Sequence, residues 1–511
     1  MPIASQQYQH PAPAKRHSLH MKLRKGLWVT LLGIGLALST SGSVLAQQNL
    51  PIMGEPADNA LSPIEEKQLG AHFMRQIRAQ MPLVRDVLID EYITNLGNRL
   101  ARASGKSSEQ DFTFFVIDDS QINAFAIPGG YVGVNVGLID AMRHEEQLAG
   151  VIAHEVAHVT QRHHARAFAI GNQYSMRTAA AIFAALVIGQ ASTEAGQAAL
   201  AAGMAATQQS AVNFTRTNEM EADRIGIEIL TNAQYSPTAM AESFDILRRK
   251  NSLNTSAGAL QYLRTHPLDN NRIAEARDRA SNKPDKALAP QTDFQLFKAR
   301  LAVLSTGDKG QLLRTFNAQH ANNANAENTY GIALLHIEAN RLDKATEYLT
   351  KLGELSKDHP TGELTKAVVL EKSGDLDSAL NILESLHEFY PERFSVVEKL
   401  VELLTRKREL SEAMQITTRY LRRIQNPNPL AWRQLASLQQ RLGQQAASHE
   451  SLARYFAGLN EGQRALNQLK LALQNVVPGS DDELRLQASI KAVRGIPPGE
   501  EEALVDGQPD D

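Results

Sequence analysis

His154, Glu155 and His158 form the string His-Glu-Val-Ala-His, behind an apolar stretch that includes Leu148, Val151 and Ile152. On a helix, positions i and i+4 share a face, so the two imidazoles can reach one ion. Glu155 sits beside the first of them, placed to hold and deprotonate a water that the ion polarises. Zinc in such a site lowers the pKa of its water toward ~7, which provides a nucleophile at neutral pH. A solvated helix face that happens to carry two histidines fits the string as well. The apolar residues ahead of it favour a semi-buried wall. The chain has no cysteine, so any metal must be held by histidines and carboxylates.

A catalytic zinc needs a third protein ligand and an open position. His164 stands where the H-E-x-x-H-x-x-G-x-x-H class has its third histidine, but Gln161 replaces the glycine at which that class bends. If the helix runs on, His164 points away from the ion. His163 and His164 therefore read as helix-surface residues. Downstream, Glu219 and Asp223 are again i and i+4. Glu219 can ligate, and Asp223 can accept a hydrogen bond from a ligand imidazole and fix its tautomer. A solvated acidic face is the plainer reading of that pair. Glu221 falls on another face and reads as a surface charge.

The elements that position these residues follow from pattern. Ser62, Pro63 and Glu65 start a helix as N-cap, first-turn proline and capping-box partner, and helices fill 63–104. The Phe-, Thr- and Val-rich segment Asp111 to Asp118 reads as a strand. Asn123 to Ile127 and Tyr131 to Val136 read as two more strands around Pro128-Gly129-Gly130. The proline and glycines there suit an edge hairpin rather than a sheet centre. One long helix is expected over 144–169 and helix again over 216–251. Residues 179–206 are mostly Ala, Gly, Ile, Leu, Val and Met. A buried Ala-rich helix pair and a peripheral membrane contact both remain open for them.

Beyond a polar linker the sequence changes character. Leu342/Ala345, Leu376/Ala379 and Leu410/Ala413 recur every 34 residues, with Ala447 one period later. This is the tetratricopeptide period, with a small residue where paired helices cross closely. Such stacks present concave surfaces to peptides or proteins. The expected organisation is a signal peptide over 1–46, a zinc metallopeptidase domain over 47–285, a linker over 286–295, repeats over 296–476 and a flexible acidic tail over 477–511. The expected fold class is mainly α: a zincin-like α+β peptidase with a small edge-exposed sheet, then an α-solenoid.

Net charge is −3 over 511 residues, without the basic excess of a nucleic-acid binder. At the N-terminus, Met21 to Lys25 is basic, Gly26 to Leu38 is apolar, and Val44-Leu45-Ala46-Gln47 suits cleavage after Ala46. Met21 offers a second start. A membrane anchor is the competing reading, but the apolar run is short for a span.

Together, His154-Glu155-x-x-His158 and Glu219-x-x-x-Asp223, with Asn123-Ala124-Phe125-Ala126-x-Pro128-Gly129-Gly130 before and Thr265-His266-Pro267 after, resemble the peptidases related to the CAAX prenyl protease and the HtpX membrane protease. The resemblance covers about 47–285. With the leader and the repeats, the chain is similar to periplasmic members of that group. The resemblance implies one Zn2+ per chain on His154, His158 and Glu219, with Glu155 as general base and Asp223 as support or proton donor. It implies that the strand with Asn123, Ala124 and Phe125 receives extended substrate by strand addition. It also implies that His266 takes the open metal position in a latent state. The substrates implied are outer-membrane β-barrel proteins, promoted in assembly or degraded when misassembled. The implied partner is the barrel assembly machinery, met through the repeats. A peptidase for one precursor and a chaperone with minor proteolysis are the alternatives.

Overall fold

The computed structural model describes residues 61–107, 110–170, 208–253, 260–284, 286, 288 and 291–494. The leader and the apolar segment 179–206 lie outside the described residues. Among those described, no helix is long and apolar enough to cross a membrane.

Helix α1 (Pro63–Gln80) opens with the capping box expected at Ser62 and Glu65. Helix α2 (Val87–Ala103) is capped by Asp86, whose carboxylate accepts from the Leu88 and Ile89 amides. Three strands follow, β1 (Thr113–Ile117), β2 (Ala124–Ile127) and β3 (Tyr131–Asn135). Their order is β1-β3-β2, with β1 parallel and β2 antiparallel to β3. Gly129 and Gly130 have φ of +82° and +83°, which only glycine takes readily, and they make the β2–β3 turn tight. β2 is an edge. Asn135 N–H donates to Asn123 C=O, so odd-numbered residues of β2 pair with β3. The main-chain groups of Ala124 and Ala126 then face the free edge.

Helix α3 (Val136–Ala141) leads into α4 (Glu145–Thr160), buried along its whole length beneath β2. α4 differs from the single long helix expected over 144–169. It stops at Thr160, Arg162 turns with φ +52°, and α5 (His163–Ile170) starts anew. The turn is held by the Arg162 guanidinium, which donates to Glu66 Oε2 at 3.0 Å and to Leu61 C=O at 2.7 Å. Helices α6 (Gln208–Asn232) and α7 (Ala239–Leu253) pack on α4. Close approach requires Gly226 of α6, where a Cβ would stand 3.3 Å from the His154 amide nitrogen. The short α8 (Gln261–Thr265) and α9 (Asn270–Ser281) complete this core.

Helix α10 (Thr292–Ser305) gives Phe294, Phe297 and Leu301 to the peptidase core and Leu296, Ala299 and Val303 to the next core. It begins a solenoid of six helix pairs ending with Asp481–Arg494. Ala345, Ala379 and Ala413 are fully buried at the crossings. In the next unit Ser448, not Ala447, takes the buried place, because that repeat is one residue longer; its hydroxyl donates to Ala436 C=O. The stretch read as flexible from 477 folds over Asp481–Arg494 instead. Leu486, Ile490 and Val493, at helical spacing, seal it on Ala465 and Leu469.

The solenoid curls back on the peptidase. Arg393 and Ser395 bond Glu91 of α2, Arg300 pairs bidentately with Asp86, and Asn460 donates to the Tyr131 hydroxyl at 2.6 Å. A cavity of about 390 Å³ lies between α2 and the repeats, lined in part by Arg85, Leu88, Arg300, Leu364 and Glu398. None of its lining residues belongs to the histidine cluster.

Candidate metal centre

Helix α4 carries His154 and His158 on one face, and α6, packed across it, delivers Glu219 and Asp223. The loop after α8 adds His266. Ligand atoms of His154, His158, Glu219 and His266 all lie within 4.8 Å of one another, and all four residues are buried. The Nε2 atoms of His154 and His158 are 3.0 Å apart. Glu219 is 3.4 Å from each of them. His266 Nδ1 is 3.0 Å from Glu219 Oε1 and 3.3 Å from His154 Nε2. A tetrahedral ion about 2.0–2.1 Å from its nitrogens sets their mutual separation at ~3.3 Å. The separations just given, 3.0–3.4 Å, lie near that value.

Burial and neighbouring charges oppose one another at these groups. Burial works against charge on His154, yet Asp223 and Glu219 hold its imidazole up at about 10. Burial pushes His158 well below the usual histidine range, and the neighbouring His154 and His266 add to that. Burial also opposes charge on Glu219, but His266, His154 and His158 outweigh it and keep the carboxylate ionised. Three imidazoles facing one carboxylate in a dry pocket suit a cation that uses their lone pairs. Glu155 fits this too. It is 1% exposed, its Oε1 accepts no hydrogen bond among the described residues, and that oxygen lies 3.5 Å from His266 Nε2.

Asp223 Oδ1 is 2.9 Å from His154 Nδ1, placed to accept a hydrogen bond from an N–H there; on the neutral ring that leaves the Nε2 lone pair toward the cluster. Arg272, which the sequence reading did not single out, clamps this carboxylate with Nε and Nη2 at 2.7 and 2.8 Å. Its Nη1 reaches Glu219 at 2.8 Å and Pro267 C=O at 2.6 Å. One guanidinium thus ties two acidic residues to the His266 loop. The Arg272 signal was faint in sequence, an arginine three residues after the N-cap Asp269.

Asn123, Ala124 and Phe125 lie at the edge strand beside α4. Asn123 is buried, with Oδ1 unpaired among the described residues. Ala124 offers its main chain, whereas the Phe125 ring packs inward on Phe115. Tyr262 of α8 donates its N–H to Ile122 C=O, in line with the free-edge groups of β2, and its ring stacks on His266. Two expectations need correction. His163 is 4% exposed and not a surface residue, because the turn at Arg162 folds it back; its Nδ1 is 2.9 Å from His158 Nδ1. Glu221 is not a lone surface charge: it accepts from Arg166 and lies 3.1 Å from His163 Nε2. His164 is half-buried and outside the four-residue cluster.

Fold and site together define a metallopeptidase. Residues 88–280 match the model of peptidase family M48. The beta-barrel assembly-enhancing protease of Escherichia coli K12 is 32% identical over 489 residues, covering 93% of this chain and 97% of that protein. The Yersinia pestis protein of the same name is 34% identical over 322 residues, 62% of this chain and 66% of that protein. Mitochondrial metalloendopeptidase OMA1 of Schizosaccharomyces pombe is 29% identical over 188 residues, 37% and 52% of the two chains. The chain belongs to peptidase family M48, in the group of the beta-barrel assembly-enhancing proteases.

Proposed function

We propose that the protein is a periplasmic zinc endopeptidase that promotes assembly of outer-membrane β-barrel proteins and degrades those that misassemble. The observation that carries the peptidase reading is the convergence of His154, His158 and Glu219 beside the buried Glu155 carboxylate, whose Oε1 accepts no hydrogen bond among the described residues. These three residues would hold Zn2+, and His266 would be its fourth ligand in a latent state. When bound, the ion polarises the scissile carbonyl and acidifies water. Glu155 takes the proton of the attacking water and passes it to the leaving amide nitrogen. Asp223 orients His154. Substrate lies along the free edge of β2 as an added strand on Ala124 and Ala126, with Asn123 at its end.

In the arrangement seen, the His266 loop covers this path twice, with its imidazole in the cluster and the Tyr262 amide on Ile122. Latency suits a protein whose ordinary task is assembly. The names of the relatives and the solenoid support docking to the barrel assembly machinery, with the leader directing export.

The test is casein cleavage by residues 47–511. Chelator and Glu155→Gln should each abolish it, while Glu155→Gln retains the metal. Chelator-resistant cleavage would overturn the reading. His266→Ala should raise cleavage; an unchanged rate removes the latency role.

A further inference from the structure

Two polar chains lead away from the cluster. One runs from His154 Nδ1 through Asp223 to Arg272. The other runs from His158 Nδ1 through His163 to Glu221 and Arg166, and none of the roles above uses it. Its separations are 2.9 Å from His158 Nδ1 to His163 Nδ1, 3.1 Å from His163 Nε2 to Glu221 Oε2, and 2.9 Å from Arg166 Nη1 to the same oxygen.

We propose that His163 is a positioning residue of the metal centre, which fixes His158 in the tautomer whose Nε2 lone pair faces the ion. The order of donors decides this. Glu221 is acceptor-only, so the proton of His163 sits on Nε2, pointing at Glu221. His163 Nδ1 is then a lone pair, and the facing Nδ1 of His158 must supply the hydrogen. A neutral imidazole has one N–H, so His158 Nε2 is left free to ligate. In the other tautomer His158 would aim a proton at the ion and two lone pairs would meet at 2.9 Å. Arg166 holds Glu221, so the order propagates from the surface inward.

His163 is not itself a fifth ligand, since its Nε2 faces Glu221 and its Nδ1 faces the Nδ1 of His158. The turn that makes this possible is local. α4 ends two residues after His158, Arg162 takes φ +52° and anchors on Glu66 and Leu61, and the first residue of α5 is laid edge-on against His158, ring centroids 4.8 Å apart. The two ligand histidines are thus supported unequally, His154 by a carboxylate and His158 by a second imidazole with a carboxylate behind it.

The proposal rests on the metal-site reading, and the experiment separates the two. Zn2+ affinity is measured by chelator competition on wild-type protein, His163→Leu, His163→Asn and Glu221→Ala, with melting of each metal-stripped protein as the control of fold. His163→Leu, which has no acceptor, should bind Zn2+ about 10–100-fold more weakly, the usual cost of removing such a support. His163→Asn keeps an acceptor oxygen where Nδ1 stood and should stay close to wild type. Should His163→Leu fail to fold without metal, Glu221→Ala carries the test, since that carboxylate is a quarter exposed; it should weaken binding measurably, and wild-type affinity in it overturns the proposal. Wild-type affinity in His163→Leu, or equal losses in Leu and Asn, likewise overturns it while leaving the metal site standing. No Zn2+ on the wild-type protein overturns the metal site itself.

Discussion

Loss of Arg272 should destabilise the peptidase core strongly. Its guanidinium is 6% exposed and faces two carboxylates that are 7% and 4% exposed, Asp223 and Glu219. Arg272→Met keeps the stem and removes the charge. Two buried anions then lose their partner, and breaking one buried pair costs about 3–5 kcal/mol. For a core of this size each kcal/mol lowers Tm by about 2–4 °C, so the metal-stripped protein should melt roughly 6–20 °C lower. Asp223 is ordinarily held below the usual carboxylate range, with burial opposing and Arg272 and His154 prevailing. Its pairing therefore stabilises the fold above the unfolded carboxylate pKa of about 4 and fades as pH falls through the lower folded value. The deficit of Arg272→Met should accordingly be large at pH 7 and shrink toward pH 3. Calorimetry of the metal-stripped wild type and variant across that range is the assay. A Tm within 2 °C of wild type at pH 7, or a deficit that grows in acid, would refute the reasoning.

Gly226→Val forces side-chain volume between α6 and α4, against Met240 and the His154 backbone. It should cost about 1–3 kcal/mol as overpacking and weaken metal binding by shifting Glu219 from His154; unchanged melting and affinity would contradict the close-approach argument. Asp90 of α2 is raised to about 7 by burial, with Asp86 and Glu398 adding repulsion. Folding therefore disfavours its charged form, and stability should rise as pH falls from 8 through 7 toward the unfolded value of about 4. Asp90→Asn should raise Tm at pH 8 and leave it nearly unchanged at pH 4, read by thermal melts at the two values.

Much of the centre was legible because helix periodicity is rigid: residues four apart must share a face, so spacing alone pairs His154 with His158 and Glu219 with Asp223. The capping box at Ser62 and the 34-residue alanine period are similarly local. What escaped depends on a backbone event or on tertiary contact. A single left-handed residue, Arg162, turned His163 from an outward helix position into a partner of His158. Arg162 carries no glycine signal, and its conformation is held by Glu66 and Leu61, about a hundred residues earlier. Arg272 escaped because its three partners come from α6 and the His266 loop. Asp481–Arg494 was obscured by the Pro, Gly and acidic residues around Leu486, Ile490 and Val493. The solenoid's return onto Tyr131 and Glu91 could not be read from any repeat unit alone.

The proposed reaction requires a single metal ion held by residues of α4 and α6. Elemental analysis of the purified protein, set beside the double variant His154→Ala, His158→Ala, tests it most directly. One equivalent of zinc on the wild type and none on the variant, with both folded, is the predicted result. Zinc retained at stoichiometry by the variant, or absent from a folded wild type, would contradict it.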